Sequence, residues 1–172
     1  MDERGRRVIR QIVDGLAIIM YSPSSAAHIP EGADYFTANY QTEADVQRHI
    51  QAGSIVGFGT GSPGDYELRI LAGAPSNERL AGAEMVYRLG LRCDGQVVFR
   101  DLYTLMNWPA DIHPDEVVQI PAGTYRITLC SDVPPSGTYG DDQVIEIYFE
   151  EWPHLPDLAT EGIPHLIRYD QA

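Results

Sequence analysis

Short runs of β-branched and aromatic residues, separated by glycine, proline and aspartate, constrain the fold of this chain more than any other feature. In the last run, Ile145, Ile147 and Phe149 alternate with residues that suit a solvent-facing position. Alternate residues of a strand share one face of a sheet, so such a run predicts a strand with one buried and one wet face. Eight runs predict strands, at residues 16–21, 54–58, 65–71, 86–93, 97–102, 117–120, 124–130 and 143–149.

Helical signals are sparse. The clearest covers residues 42–52, where Thr42 can cap the N-terminus, Asp45 follows three residues later and Gly53 can end the helix. A weaker helical stretch is expected over residues 6–13, ahead of the first strand. The sequence therefore predicts a mostly β protein with one or two short helices.

Strands with one buried face need a second layer, which favours an antiparallel β-sandwich. The 172 residues suffice for one sizeable core, so residues 1–151 are predicted to form a single domain. Residues 152–172 contain Pro153, Pro156 and Pro164, which cannot serve the interior of a sheet. We expect this segment to be a tail laid over the sandwich. Asp94 and Gly95, between two runs, predict a hairpin turn.

The chain is strongly acidic. Its formal charge is −13, from 25 acidic residues against 12 basic residues, all of them arginine. Such a charge repels nucleic acid and anionic membranes and attracts cationic partners. No apolar run approaches the roughly 18 residues that span a membrane. The apolar stretch at 16–21 is also shorter than the core of a usual secretory signal, about 7–15 residues, so we expect a cytoplasmic protein.

Motifs for catalysis, cofactors and metals are weak. The glycine-rich segment at 57–64 precedes an alternating strand rather than a helix, which favours a hairpin loop over a phosphate-binding loop. The five histidines are scattered, and Cys93 and Cys130 lie in predicted strands, where buried free thiols are expected. No nucleophile elbow occurs. We therefore expect no cofactor, no metal site and no enzymatic activity.

Carboxylates are concentrated in the C-terminal part. Between Arg100 and Arg168 the chain has twelve acidic residues and a single basic residue, Arg126. Alternate residues of a strand repeat at about 6.6–6.8 Å, so one face of the last predicted strand presents a row of carboxylates with an aromatic ring among them. This predicted acidic face consists of Asp142, Glu146, Tyr148 and Glu150. The alternative is a surface that only keeps the protein soluble.

The segment QIPAGTYRITLCSDVPP and the later strand DDQVIEIYFE resemble the C-terminal part of the bacterial competence protein J family, inhibitors of a DNA-entry nuclease. The preceding order of LAIIMY, TEADVQRHIQAG, SIVGFGTG and DYELRIL is similar too. The most specific stretch of the resemblance is residues 120–129. It implies a β-sandwich fold and an inhibitor-like role, without assigning functional residues.

These observations lead to one main hypothesis and two alternatives. The main hypothesis is a non-enzymatic, acidic protein-binding module, similar to inhibitors or immunity proteins, for a basic partner such as a nuclease or toxin. The first alternative is a calcium- or carbohydrate-binding β-sandwich that uses Asp132, Asp141 and Asp142. The second is an enzyme whose active site is assembled only in space.

Overall fold

In a computed structural model of the protein, the structure describes residues 6–157, with side chains from residue 7 onward. This part of the chain contains nine strands. Numbered in chain order, they are β1 (Arg6–Val13), β2 (Ala17–Tyr21), β3 (Ile55–Gly59), β4 (Gly64–Ala72), β5 (Met85–Cys93), β6 (Gln96–Asp101), β7 (Val117–Gln119), β8 (Gly123–Ser131) and β9 (Gln143–Glu151). The four α-helices are α1 (Pro23–Ala26), α2 (Tyr35–Asn39), α3 (Glu43–Ala52) and α4 (Asn77–Gly82), and 3₁₀ helices cover Leu102–Met106 and Pro114–Glu116.

The strands form two sheets, and the predicted β-sandwich is confirmed. The five-stranded sheet has the order β1-β4-β9-β8-β5, and the four-stranded sheet has the order β3-β2-β6-β7. All eight predicted strands are present within a residue or two of their expected limits. Neighbouring strands are antiparallel except β4 and β9, which run parallel. The alternation predicted for β9 is also observed, because Ile145, Ile147 and Phe149 are buried in the core.

The weak helix expected over residues 6–13 was wrong, because these residues form β1. The strand pairs with β4 along its whole length, from Arg6 opposite Leu71 to Val13 opposite Gly64. Ile9 and Val13 are buried, and their spacing of four residues fits one face of a helix as well as one face of a strand. The local pattern was therefore ambiguous, and pairing with a distant strand decided it.

Two predicted hairpins are connections between the sheets instead. Asp94 and Gly95 join β5 in one sheet to β6 in the other, and the loop after Gly59 joins β3 to β4 in the same way. The turn residues were read correctly, since Gly95 has a φ of 121°. Gly64 is required by a close approach, because a Cβ there would lie 2.0 Å from the backbone oxygen of Gly140.

The predicted helix at residues 42–52 is confirmed as α3. Thr42 caps its N-terminus in a capping box with Asp45, and Gly53 ends it in the left-handed conformation with φ of 60°. The helix packs against β3 and β5. None of the helices within residues 6–157 is long and apolar enough to cross a lipid bilayer.

Burial differs between the two sheets. Every residue of β2 and β3 is buried, whereas burial alternates along β4 and β9. Strands that are covered on both faces read as continuous apolar runs, and strands with one open face alternate. The five-stranded sheet therefore presents an open outer face, defined here as the side chains that point away from the four-stranded sheet.

Arg100 on β6 is buried, with 2% of its surface exposed. Its guanidinium donates hydrogen bonds to the Glu116 carboxylate at 2.9 and 3.0 Å and to the backbone oxygens of Pro109, at 3.1 Å, and Asp111. It also lies 5.7 Å from the centre of the Trp108 ring. One side chain thus fixes the segment between β6 and β7 against the sandwich.

We expect Arg100→Met to lower the free energy of unfolding by about 3 kcal/mol, because it leaves the carboxylate and two carbonyls without their donor. Arg48→Met is the matched control: that arginine pairs with Asp45 on the surface with 66% of its side chain exposed, so its loss should cost less than about 1 kcal/mol. Urea unfolding followed by circular dichroism measures both. Equal losses would contradict a structural role for Arg100.

Candidate binding face on the five-stranded sheet

Glu146 lies on the outer face of β9, as predicted, with Arg69 opposite it on β4 and Cys130 opposite it on β8. Its carboxylate accepts a hydrogen bond from Arg79 of α4, which also forms an ion pair with Asp132 at 2.9 Å. Burial alone would lower the pKa of Arg79, but its hydrogen bonds to the two carboxylates raise it above its usual value. Arg79 therefore stays charged and holds both carboxylates in place.

Tyr148 lies two residues further along the same face. Its hydroxyl donates to the Glu146 carboxylate at 3.3 Å. Burial raises the pKa of Tyr148, and the neighbouring carboxylate raises it further. The phenol consequently remains protonated and available as a donor, while its half-buried ring lies between the charged groups.

Glu150 completes the row on β9. Its carboxylate accepts hydrogen bonds from Nε of Arg126 at 2.8 Å and from a terminal nitrogen of the same guanidinium. The guanidinium of Arg126 in turn stacks on the ring of Trp152, 4.0 Å from its centre. The ion pair and the stacked ring fix the start of the segment after β9 to the sheet.

The described part of that segment also packs on the sandwich further along. Leu155 reaches Gly53 and Gly90, and Pro156 lies over Gly90, close enough that a Cβ on either glycine would clash. Residues 158–172, including Pro164 and His165, lie outside the described residues, so the predicted placement of the whole tail stays a prediction.

Asp142 occupies a different position from the rest of the row. It precedes β9, is exposed and has a positive φ of 48°. Among the residues that the structure describes, no ion pair involves its carboxylate. Asp142 is thus the member of the predicted row whose charge is left for an outside cation.

Two shallow grooves meet at Asp142. The first, of about 510 Å³, lies between the start of β4 and the edge strand β1, and the second, of about 440 Å³, lies between β9 and the loop after β8. Together they are lined by five carboxylates and three guanidinium groups, those of Asp65, Glu67, Asp132, Asp142, Glu146, Arg10, Arg69 and Arg79. The pair of grooves carries a net negative charge.

The first groove has its own fixed carboxylate. Glu67 on β4 forms ion pairs with Arg69 at 2.7 Å and with Arg10 of β1 at 3.2 Å. Its hydrogen bond to Arg69 lowers the pKa of Glu67, although burial opposes this. Exposed apolar side chains flank the grooves, with Ile12 73% exposed on β1 and Val133 38% exposed beyond β8.

Sequence reasoning found the row on β9 but missed the groups that complete the face. Arg79 was missed because α4 is short, although Ser76 does cap it and accepts a hydrogen bond from the Arg79 amide. Asp65 on β4 and Ile12 on β1 were missed as site residues. Their strands reach this part of the sheet only through long-range pairing, in which β4 pairs with β9 and β1 pairs with β4. The serine cap was a usable local signal, whereas the pairing of β1 was not.

The calcium alternative requires a cluster of ligating side chains. Within residues 6–157, no group of three or more histidine, cysteine, aspartate or glutamate side chains is arranged to hold an ion. Asp132 is engaged by Arg79 instead. Cys93 and Cys130 are buried free thiols, as predicted.

The ion pairs predict that substitutions of Glu146 and of Asp142 affect the stability of the protein differently. We expect Glu146→Gln to lower the free energy of unfolding by about 1 kcal/mol, because half-buried Arg79 loses one of two charged acceptors. Asp142→Asn should leave it unchanged or slightly higher, because asparagine tolerates a positive φ and repulsion is relieved. Urea unfolding of both variants at one salt concentration checks this. A larger loss for Asp142→Asn would contradict the assignment of Glu146 as the anchored carboxylate.

Comparisons with known proteins concern the fold. No protein-family model matches the sequence, and no curated protein matches it. The solved structure of the Crocagin biosynthetic gene J protein matches with a TM-score of 0.53 and 14% identity, over 83% of this chain and 97% of that chain. ComJ from Bacillus subtilis, an inhibitor of the DNA degrading activity of NucA, matches with a TM-score of 0.48 and 10% identity, over 85% of this chain and 96% of ComJ. The chain has a fold similar to that of the Crocagin biosynthetic gene J protein, and ComJ, which belongs to the family that the sequence resembles, is among the solved structures matched.

Proposed function

We propose that this protein is a non-enzymatic binding module that takes a basic protein, such as a nuclease or toxin, on the outer face of its five-stranded sheet. The observation that carries the proposal is the meeting of two acidic grooves at the carboxylate of Asp142, which forms no ion pair with any residue that the structure describes. The role would be that of an inhibitor or immunity protein. The proposal does not rest on the likeness to ComJ, because inhibition of NucA is a property of ComJ.

Long-range electrostatics favour such a partner. The net charge of −13 attracts a basic protein and speeds its approach, and it repels free nucleic acid. At close range, the Asp142 carboxylate, which has no ion-pair partner within residues 7–157, can pair with an arginine or lysine of the bound protein. A nuclease displays such side chains where phosphates bind, so a carboxylate placed there would compete with the nucleic acid.

The other carboxylates that line the grooves and form ion pairs contribute fixed positions on the face rather than unpaired charge. Because Arg79 holds Glu146 and Asp132, and Arg69 and Arg10 hold Glu67, their positions are set before a partner arrives. Preorganised groups lose less conformational entropy on binding than mobile side chains. The exposed side chain of Ile12, in the first groove, and the ring of Tyr148, beside Glu146, offer apolar contact on the same face.

The test removes charge at the grooves and compares it with equal removal elsewhere. Asp65→Asn combined with Asp142→Asn should weaken binding of a purified basic nuclease or toxin encoded beside this gene about tenfold, mainly through a slower association rate. Added salt should weaken the wild type more than the double variant, because exposed charges are screened over about 8 Å at physiological ionic strength. Biolayer interferometry at two salt concentrations measures both effects.

The matched control is Glu31→Gln combined with Asp111→Asn, which removes the same charge from exposed loop positions outside the two grooves. This control should bind like the wild type at equal salt. If both double variants weaken binding equally, only the net charge matters and the face is a solubilising surface. If the wild type binds no such basic protein, the proposed function is wrong.

Tyr148→Ala tests the apolar part of the same face. We expect it to cost on the order of 2 kcal/mol of binding, since an aromatic side chain at the centre of an interface has the character of a hot spot. The unfolding free energy of the variant, measured alongside, separates a binding effect from a loss of structure. An unchanged affinity would place the partner on the grooves alone.

A further inference from the structure

A second kind of cavity lies inside the sandwich, separate from the outer face. It has a volume of about 380 Å³ and opens where the ends of β4 and β9 face β7 and the turn that follows it. Its wall is formed by side chains that are buried and apolar or aromatic, namely Ile70, Val118, Ile120, Tyr125 and Phe149.

The cavity exists because the two sheets differ in extent at this end. The strand β7 has three residues, whereas β4 and β9 have nine each. The four-stranded sheet therefore ends before it covers the facing strands completely. Ile70 and Phe149, near the ends of β4 and β9, are themselves buried and line the cavity at this end of the sandwich.

The aromatic wall is rigid. The rings of Tyr125 and Phe149 meet edge to face, with centres 5.9 Å apart and an angle of 68° between the ring planes. The Tyr125 hydroxyl donates to the Pro121 backbone oxygen at 2.8 Å, so its hydrogen-bonding need is met within the protein. This aromatic wall consequently offers apolar contact, and the Tyr125 hydroxyl needs no hydrogen-bond partner from a ligand.

Charged groups lie at opposite sides of the opening. Arg7 on β1 stands opposite Ile70, which stands opposite Ile147 on β9, and Glu151 follows four residues after Ile147. At about 3.3 Å per residue, the Arg7 and Glu151 levels are about 13 Å apart along the strands. The backbones of Arg7 and Glu151 therefore lie at different levels of the opening.

The Arg7 guanidinium can donate hydrogen bonds to a ligand. Its described hydrogen bond, from a terminal nitrogen to the Pro114 backbone oxygen at 3.2 Å, uses one of the five donors of a guanidinium. This bond crosses from the five-stranded sheet to the segment before β7 and so fixes the side chain at the rim. A guanidinium in a fixed position suits a planar or tetrahedral anion.

We propose that this cavity, here called the inter-sheet cavity, is a binding site for a small, mainly apolar molecule that carries one anionic group, with the anion at Arg7. The volume falls in the lower part of the range of about 300–1,000 Å³ that is typical of small-molecule sites. Water beside apolar walls finds few hydrogen-bond partners, so an apolar group that displaces it gains contact at little cost.

The probes are a matched pair of dyes. The dye 8-anilinonaphthalene-1-sulfonate has an apolar ring system with one sulfonate, and N-phenyl-1-naphthylamine has the same ring system without it. Both should show enhanced fluorescence with the folded wild type, and the sulfonate should bind about tenfold more tightly. Arg7→Gln should bring the affinity of the sulfonate dye down to that of the neutral dye and leave the neutral dye unaffected.

Two variants block the cavity in different ways. Ile120→Phe adds bulk to the wall, and Ala72→Trp adds bulk at the exposed end of β4, where it should obstruct the opening without disturbing the core. Both should abolish the fluorescence enhancement of both dyes. Ile12→Gln, on the outer face, and Asp142→Asn should leave the enhancement unchanged, so the result is independent of the proposed protein-binding role.

Several outcomes overturn the proposal. The cavity is not a ligand site if neither dye binds the folded wild type, or if Ala72→Trp binds both dyes as the wild type does. The site does not select anions if the two dyes bind equally well or if Arg7→Gln changes neither affinity. Circular dichroism of each variant excludes enhancement that comes from a partly unfolded protein, and should Ile120→Phe fail to fold, Ala72→Trp alone decides.

Discussion

Burial of one face of the five-stranded sheet against the four-stranded sheet is the constraint on which the rest of the structure depends. Because Ile145, Ile147 and Phe149 must point into the core, the alternate residues of β9 must point outward. The helices α1 and α3 and the segment held by Arg100 pack on the four-stranded sheet, where every residue of β2 and β3 is buried. The other sheet is left with an outer face on which polar groups can be displayed without disturbing the core.

Arginine side chains fix the positions of carboxylates on that outer face. In a chain whose basic residues are all arginine, every described cross-strand cation on the face is a planar fork with several donors. Arg79 can therefore hold two carboxylates at once, and Arg126 can bind Glu150 while its plane stacks on Trp152. A lysine ammonium has neither the planar fork that fixes such pairs geometrically nor a plane that can stack on a ring. The face that results has fixed carboxylates around Asp142, whose own charge is not neutralised by any side chain in the described part of the chain.

The sequence predicted the strands and the row on β9 because both depend on local alternation. It also predicted α3, whose capping box and terminal glycine are local signals. It failed for β1, where Ile9 and Val13 fit a helix as well as a strand, and for the hairpins at Asp94 and Gly59, where turn chemistry does not reveal which sheet the next strand joins. The ion pairs of Glu146 and Glu150 were beyond its reach, because Arg79 approaches Glu146 through the packing of α4, and Arg126 approaches Glu150 through the register of β8 and β9.

The parallel pair of β4 and β9 brings the two proposed sites onto the same strands. Outward residues of this pair, Glu67 and Glu146, line the acidic grooves, while inward residues, Ile70 and Phe149, line the inter-sheet cavity. Since successive residues of a strand point to opposite faces, the two sites are separated by the thickness of one sheet and share no side chain. Substitution can therefore alter the charge of one without altering the shape of the other, and a single sheet can serve a protein partner and a small molecule at once.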